Sequence, residues 1–181
     1  MLAAGASRRL GTPKQLVRLG AETLLERTVR VAREADLNPI LGVVPTDLLI
    51  EPSPTGMIRV FNQNSVEGIA SSIRAGLRAL ASDGATFPGV VILACDQPAV
   101  TSGHLRELAN GGSDIVASAY GGRKGVPAYF PSTVFQALLA LHGDLGARDL
   151  LLNARAILLT RGELDIDTIE DLEKARKLYV T

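Results

Sequence analysis

The sequence has almost no cysteine, no excess charge of either sign and no long apolar run, and each shortage excludes a class of protein. Cys95 is the only cysteine, which excludes a disulfide framework within the chain and suits a reducing compartment. Lysine plus arginine number 19, as do aspartate plus glutamate, so the bulk charge provides no basic face for nucleic acid. No apolar run approaches the roughly 20 residues that cross a membrane, and the start, MLAAGASRR, lacks the charged lead-in of a secretory signal. We therefore expect a cytoplasmic protein that binds neither nucleic acid nor membrane.

Apolar runs alternate along the chain with segments of helical periodicity. Hydrophobic residues make up 46% of the 181 residues, which is enough for one domain, 1–181, with a single core. The run VVILA at 90–94 has no polar interruption, as is typical of a central parallel strand covered on both faces. The alternation predicts an α/β fold, a three-layer α/β/α sandwich around a mostly parallel, Rossmann-like sheet. We predict strands at 39–44, 58–61, 90–94, 115–118, 126–130 and 156–159, and helices at 23–34, 71–80, 102–109, 132–141, 147–152 and 168–179.

The first strand of such a sheet has little sequence to form it. Only Met1 and Leu2 precede a glycine-containing loop, whereas a strand usually takes about five or six residues. We therefore expect the first strand to be truncated, misassigned or unusually short.

The segment LAAGASRRLGTPKQL, 2–16, combines small residues with three cations. Gly5 and its small neighbours let backbone N–H groups approach an anion closely, and Arg8, Arg9 and Lys14 add positive charge. This composition suits a triphosphate, although a surface turn with solvated arginines is the alternative. The segment contains neither the GxxxxGK[ST] phosphate loop nor the GxGxxG dinucleotide fingerprint.

Two carboxylates are candidates for a metal site. Asp96 directly follows the apolar run VVILAC, so it is delivered to the carboxyl edge of the sheet, where ligands of open α/β sheets bind. Carboxylates there suit Mg²⁺, which takes one or two of them together with water and substrate phosphates. A helix-capping role for Asp96 is the alternative, but Thr101 and Ser102 are better placed to cap. The second ligand is Asp165 or Asp167, of which we expect only one to face the metal.

The chain resembles the nucleotidyltransferases with a MobA-like fold, a group that includes the molybdenum cofactor cytidylyltransferases. The resemblance lies in LAAGASRRLGTPKQL, CDQP, the segment around EGIASS, GVPAYF, GDLGAR and LDIDTIEDL. It implies that the first loop wraps the phosphates of a nucleoside triphosphate, and it favours Asp167 over Asp165 as the second Mg²⁺ ligand. The implied nucleotide-binding positions are Leu2, Ala3, Ala4, Gly5 and Ser7, and the implied catalytic residues are Arg8, Arg9, Lys14 and Asp96.

The resemblance also implies sites for the base and the acceptor. Gly68 and Ser72 would approach the nucleotide, although helix capping and tight helix–sheet packing explain these residue types equally well. The implied acceptor-binding residues are Gly125, Pro127, Asp144 and Arg148. The alternative for GDLGAR is a turn whose Asp144 caps the next helix. We expect His104 and His142 on helix surfaces, and Cys95 in the core.

The resemblance implies transfer of CMP from CTP to molybdopterin with release of pyrophosphate. The LAAG form of the loop is similar to that of the cytidylyltransferases, whereas the guanylyltransferase branch typically reads LAGG. Two alternatives stay open. One is a sugar- or polyol-phosphate cytidylyltransferase on the same fold. The other is a non-catalytic chaperone that passes the finished cofactor to a molybdenum hydroxylase.

Overall fold

Strands and helices alternate along the chain as the hydrophobic pattern predicts. The computed structural model describes residues 1–5, 10–48, 50–82, 84–144 and 146–180. The strands are β1 (Arg18–Leu19), β2 (Glu22–Thr23), β3 (Ile40–Pro45), β4 (Met57–Asn62), β5 (Gly89–Ile92), β6 (Val116–Tyr120), β7 (Arg123–Pro131) and β8 (Arg155–Leu158). The helices are α1 (Leu24–Glu34), α2 (Ile69–Ala81), α3 (Ser102–Ala109), α4 (Phe135–Leu139), α5 (Arg148–Leu151) and α6 (Ile169–Tyr179). Within the described ranges, no helix has both the length and the apolar character needed to cross a membrane.

The start of the chain joins two sheets. β3 and β4 form a parallel pair, and a second sheet has the order β5–β7–β6–β8. Leu2 lies between them, with parallel bridges to Val43 of β3 and to Ala94 just after β5. The resulting order is β4–β3–Leu2–β5–β7–β6–β8. It is parallel throughout except at β7, which runs antiparallel to both neighbours. This arrangement confirms the expected mostly parallel sheet.

Helices cover both faces of the sheet. One core contains residues of α1 and α3, including Leu25, Val29 and Leu105, packed against the strands. A second core contains Ile73 of α2 and Leu138 of α4, packed against the other face, and residues of α5 belong to it. Two buried layers of this kind follow from apolar strands that are covered on both faces. The three-layer α/β/α architecture is therefore confirmed.

The first strand is very short. Leu2 donates its N–H to the carbonyl of Leu93 at 2.7 Å, and Ala3 donates to the carbonyl of Val43 at 2.9 Å.

Beside this segment, between the amino ends of β3 and β5, lies an apolar cavity of about 150 Å³. Ligands of open α/β sheets bind at the carboxyl ends of the strands. This cavity therefore lies at the opposite end of the strands from the expected site.

Candidate functional site

Three segments that are distant in sequence meet at the carboxyl edge of the sheet. The Nζ atom of Lys14 lies 2.5 Å from Oδ2 of Asp96 and 2.6 Å from Oδ1 of Asp167. Lys14 opens a short 3₁₀ turn, Asp96 follows β5, and Asp167 precedes α6. The structure thus brings together the two carboxylates predicted as metal ligands and one of the three predicted cations.

The turn that carries Lys14 is tied to the start of the chain. Gln15, the next residue, is only 1% exposed, and its Nε2 donates to the carbonyl of Ala3. Val17 accepts a hydrogen bond from the N–H of Leu24 at 2.9 Å, which holds the turn against the start of α1. Because Ala3 belongs to the loop predicted to bind phosphates, Gln15 fixes Lys14 beside that loop. Among the described residues, no partner is found for the buried Oε1 of Gln15.

Asp167 is positioned by its two neighbours in sequence. The side chain of Ile166 is fully buried, and its backbone N–H donates to the carbonyl of Asp96 at 2.9 Å. Thr168 caps α6. Its Oγ1 accepts from the N–H of Asp171 at 3.2 Å, and its own N–H donates to Oδ2 of Asp171 at 3.1 Å. This reciprocal capping box fixes the chain direction where Asp167 leaves the extended segment.

The environment of Lys14 favours its charged form. Burial disfavours the ammonium, but the two carboxylates of Asp96 and Asp167 outweigh burial, and the pKa of Lys14 is raised above its usual value. The side chains of Lys14 and Asp96 are only 13% and 16% exposed, so solvent screens this charge cluster weakly. A permanent positive charge thus lies between two carboxylates, in the place that a metal ion would take.

Asp165 also lies at this edge of the sheet. Residues two apart in an extended segment share a face, and Asp165 and Asp167 flank the buried Ile166. Burial first, and then the charge of Asp96, raises the pKa of Asp165 to about 6. Its Oδ2 lies 3.8 Å from Nη2 of Arg123. Both aspartates therefore lie at this edge of the sheet, but only Asp167, the one favoured as a metal ligand, contacts Lys14.

Gln97 and Tyr120 form a second buried group beside Asp96. Nε2 of Gln97 donates to the hydroxyl of Tyr120 at 3.2 Å, and that hydroxyl donates to the carbonyl of Val126 at 2.8 Å. A Cβ atom on Gly125 would lie 2.3 Å from the Tyr120 hydroxyl. Gly125, predicted to bind the acceptor, is therefore required for the packing of Tyr120. Gln97 stands next to Asp96 in CDQP, but no feature of the sequence marks it as a site residue.

The predicted base-binding residues lie at the start of α2. Gly68 has φ +112°, and a Cβ there would lie 2.2 Å from Oδ1 of Asp144, so only glycine fits. Ser72 is 5% exposed, and its Oγ accepts from Nδ2 of Asn62 at 3.0 Å. Gly68 is therefore half-buried against Gly143 and Asp144, whereas the side chain of Ser72 is buried and bound to Asn62.

The predicted acceptor residues do not form one cluster. Arg148 and Asp144 are exposed, and Asp144 lies against Gly68, a residue predicted to bind the nucleotide and not the acceptor. Asp144 is not a helix cap, because α5 begins after Ala147 with no side-chain cap. Pro127 is fully buried, and its carbonyl accepts from the hydroxyl of Ser118 at 2.6 Å. We therefore leave Pro127 out of the proposed site.

The start of the predicted phosphate loop is described only in part. Leu2 is half-buried, Ala3 is buried, Ala4 is half-buried and Gly5 is exposed, so the segment rises from the core to the surface. Ser7, Arg8 and Arg9 lie outside the described residues.

The chain's cysteine and one of its histidines are buried away from solvent. Burial raises the pKa of the Cys95 thiol to about 12, which confirms a core residue and excludes a ready thiolate nucleophile. His104 is only 8% exposed, and its Nε2 lies 2.7 Å from Oγ of Ser118. The expectation of a surface position for His104 is therefore wrong: the side chain joins α3 to β6. His142 is exposed, as expected, but it lies after the end of α4 and not on a helix.

The donor set fits a hard divalent cation with few protein ligands. In the described part of the chain, no group of three or more His, Cys, Asp or Glu residues is arranged to hold a metal. Asp96 and Asp167, however, both reach one ammonium nitrogen, so their oxygens converge on a single point. Two convergent carboxylates are what Mg²⁺ takes from a protein when substrate phosphates and water complete its coordination.

The chain is similar to known proteins over most of its length. The chain is 34% identical to the purine catabolism protein PucB of Bacillus subtilis, over 97% of this chain and 94% of that protein. It is 33% identical to a probable molybdenum cofactor guanylyltransferase of Opitutus terrae, over 72% of this chain and 64% of that protein. Among solved structures, Rv0371c of Mycobacterium tuberculosis has a TM-score of 0.76 at 28% identity, over 97% of this chain and 95% of that one. A further Rv0371c structure, similar to this chain with a TM-score of 0.72 at 26% identity over 97% of this chain and 95% of that one, is a complex with manganese.

A family model covers most of the chain. The model of the MobA-like NTP transferase domain matches residues 1–157, which include the loop, Lys14 and Asp96. Asp167 lies beyond the matched range, and its place beside Lys14 comes from the structure. On the strength of this match, the chain belongs to the family of MobA-like NTP transferases.

Proposed function

We propose that this nucleotidyltransferase moves a nucleoside monophosphate from a nucleoside triphosphate onto a phosphorylated small molecule. The observation that carries the proposal is the position of Lys14 between Asp96 and Asp167, beside the loop that starts at Leu2. A cation and two carboxylates at one point allow the triphosphate and a divalent ion to share a single site.

The proposed reaction exchanges one phosphorus–oxygen bond for another. An oxygen of the acceptor phosphate bonds to the α-phosphorus, and the bond from that phosphorus to the bridging oxygen of the β-phosphate breaks. Pyrophosphate leaves with the electron pair, so charge and atoms balance without a proton transfer. The reaction needs no histidine or cysteine as a general base, because the attacking phosphate is already ionised at neutral pH.

The residues at the site act by neutralising and aligning anions. Lys14 would move from the carboxylates to the triphosphate and stabilise the negative charge that develops on the leaving pyrophosphate. Arg8 and Arg9 are proposed to do the same from the loop. Asp96 and Asp167 would hold Mg²⁺, which supplies charge neutralisation and orientation when bound. Alignment of two bound phosphates can itself supply a large part of the rate enhancement.

CTP and molybdopterin are the substrates that we propose. Ala4 gives the loop the LAAG form, and its methyl group would narrow the base pocket toward a pyrimidine. The relative from Opitutus terrae is a probable guanylyltransferase, so GTP is the competing donor. PucB is named for purine catabolism, which supports a molybdenum hydroxylase acting on purines as the enzyme that receives the cofactor.

The test is pyrophosphate release with each of the four nucleoside triphosphates, with and without molybdopterin, in the presence of Mg²⁺. Release with CTP only when molybdopterin is present supports the full proposal. Release with GTP instead would overturn the donor but retain the transferase. Release with a sugar or polyol phosphate, and not with molybdopterin, would overturn the acceptor. Tight binding of the cofactor without release under any condition would identify a chaperone.

A further inference from the structure

Arg123 is a partly exposed cation at the same edge of the sheet as the aspartates. It begins β7, immediately after the turn that follows β6, and its side chain is 53% exposed. Its closest carboxylate oxygen, Oδ2 of Asp165, lies 3.8 Å away, which is too long for a hydrogen bond. No hydrogen bond joins its guanidinium to the residues that the structure describes. An exposed ion pair of this kind contributes little to stability, so a ligand can replace it at small cost.

The surface under Arg123 is rigid. The guanidinium carbon lies 5.3 Å from the centre of the Tyr120 ring, within range of a cation–π contact. Gln97 and Val126 hold the Tyr120 hydroxyl from two directions. A Cβ on Gly162 would approach the ring to 2.8 Å, so the ring has no room to tilt. A guanidinium that rests on a fixed ring loses little freedom when it binds a ligand.

Arg123 and Lys14 reach the aspartates from different elements. Lys14 comes from the turn beside the predicted phosphate loop and contacts Asp96 and Asp167. Arg123 comes from the β6–β7 connection and meets Asp165. Two anionic substrates must lie next to each other during transfer, and each requires a cation of its own. Lys14 and Arg123 supply cations at two separate points of this edge.

We propose that Arg123 binds the phosphate of the acceptor, a phosphate monoester, at the carboxyl edge of β6. The assignment of that phosphate as the acceptor rests on the proposed function. The planar guanidinium offers two parallel N–H donors, which match two oxygens of a phosphate. Arg148, the residue predicted for this role, starts α5 after a loop that packs against Gly68 on the donor side.

The first experiment measures binding without turnover. The ¹⁵N-labelled protein is titrated with phenyl phosphate, and the Nε–Hε signal of Arg123, identified by its loss in Arg123→Lys, is followed by NMR. We expect this signal to shift until binding is saturated. Arg123→Ala should raise the dissociation constant for phenyl phosphate by about tenfold or more. Arg155→Ala is the matched control, because it removes an exposed arginine from β8, the strand that pairs with β6 on the side away from β7. An Arg123 signal that does not shift would overturn the assignment, and so would an equal rise of the dissociation constant in Arg155→Ala.

The second experiment separates this inference from the proposed function. In steady-state assays, Arg123→Ala should raise KM for the acceptor by about tenfold or more and leave KM for the nucleoside triphosphate within about twofold. Turnover with an unchanged acceptor KM would reject the role of Arg123 and leave the transferase intact. If the wild-type protein turns over no phosphorylated acceptor, yet Arg123 binds phenyl phosphate, the proposed function fails and the phosphate site stands.

Discussion

The backbone N–H of Ile166 donates a 2.9 Å hydrogen bond to the carbonyl oxygen of Asp96. This bond joins the end of the central strand to the segment before the last helix, so it sets the separation of Asp96 and Asp167. Ile166 is fully buried, which anchors the second segment in the core. The two carboxylates therefore meet because the main chain holds them together, and the side chain of Lys14 then fills the space between them.

Removing one carboxylate tests the metal role of this pair. Asp96→Asn keeps the size of the side chain but removes the charge that would hold Mg²⁺. We expect kcat for nucleotidyl transfer to fall by about 100-fold or more, because charge neutralisation at the phosphates is lost. The fold should persist, since the Ile166–Asp96 hydrogen bond uses only the backbone, although the ion pair between Asp96 and Lys14 is weakened.

The matched control for this change is Asp114→Asn, at an exposed position before the amino end of β6, whereas Asp96 lies at the carboxyl edge of the sheet. It should leave turnover unaltered. Undiminished kcat in Asp96→Asn, measured at saturating Mg²⁺, would remove Asp96 from the list of metal ligands.

The ammonium of Lys14 should compete with a metal ion in the ligand-free protein. Lys14→Met removes a positive charge that lies 2.5 Å from Asp96, so Mn²⁺ should bind more tightly, by about tenfold, when no nucleotide is present. The same variant should lose most of its turnover, because the ammonium that would stabilise the negative charge of the triphosphate is absent. Electron paramagnetic resonance of free Mn²⁺ measures the first effect, and pyrophosphate release measures the second.

Lys177→Met, an exposed position on α6, serves as the control for the loss of one charge. Equal Mn²⁺ affinities for the wild type and Lys14→Met would contradict the position of the ammonium between the carboxylates.

Gly125 should tolerate a methyl group only when the Tyr120 hydroxyl is removed. Gly125→Ala places a Cβ 2.3 Å from that hydroxyl, so we expect the free energy of unfolding to fall by about 1 to 3 kcal/mol. In the Tyr120→Phe background the same change should be much less destabilising. A double-mutant cycle by urea denaturation measures the coupling. Additive effects would show that Gly125 is required for a reason other than the Tyr120 contact.

Much of the fold could be predicted from the sequence, because its signals are local. The uninterrupted run at 90–94 predicts a central strand, and Asp96 directly behind it must then stand at the carboxyl edge. Thr168 predicts the start of α6, and the capping box with Asp171 is present. These inferences need only residue types and short spacings, which is why they succeed without coordinates.

The contacts within the site could not be predicted in the same way. Nothing in the spacing of Lys14, Asp96 and Asp167 indicates that one nitrogen touches both carboxylates. The antiparallel direction of β7 also depends on pairing, because an apolar run reads the same in either direction. The role of Gln97 could not be predicted either, because Gln97 acts through a hydrogen bond to Tyr120, which is distant in sequence.

His104 should make the protein less stable in mild acid. Burial, which outweighs the charge of Glu107, holds the pKa of His104 below its usual value of about 6.5. The unfolded chain therefore binds more protons than the folded one between the folded and the unfolded pKa. The contribution of neutral His104 to the free energy of unfolding is complete above the pKa that His104 has in the unfolded chain. It is lost as the pH falls toward the lower pKa that His104 has in the folded protein.

Urea denaturation at pH 7.5 and pH 5.5 tests this expectation. The free energy of unfolding of the wild type should fall more steeply between these pH values than that of His104→Gln, whose amide can still donate to Ser118 but does not titrate. His142→Gln, at a side chain that is 83% exposed, serves as the control for the replacement of an imidazole. If the free energy of unfolding of the wild type and of His104→Gln changed in parallel with pH, the buried imidazole would accept a proton without loss of stability. The contact with Ser118 would then have to be maintained by the charged ring.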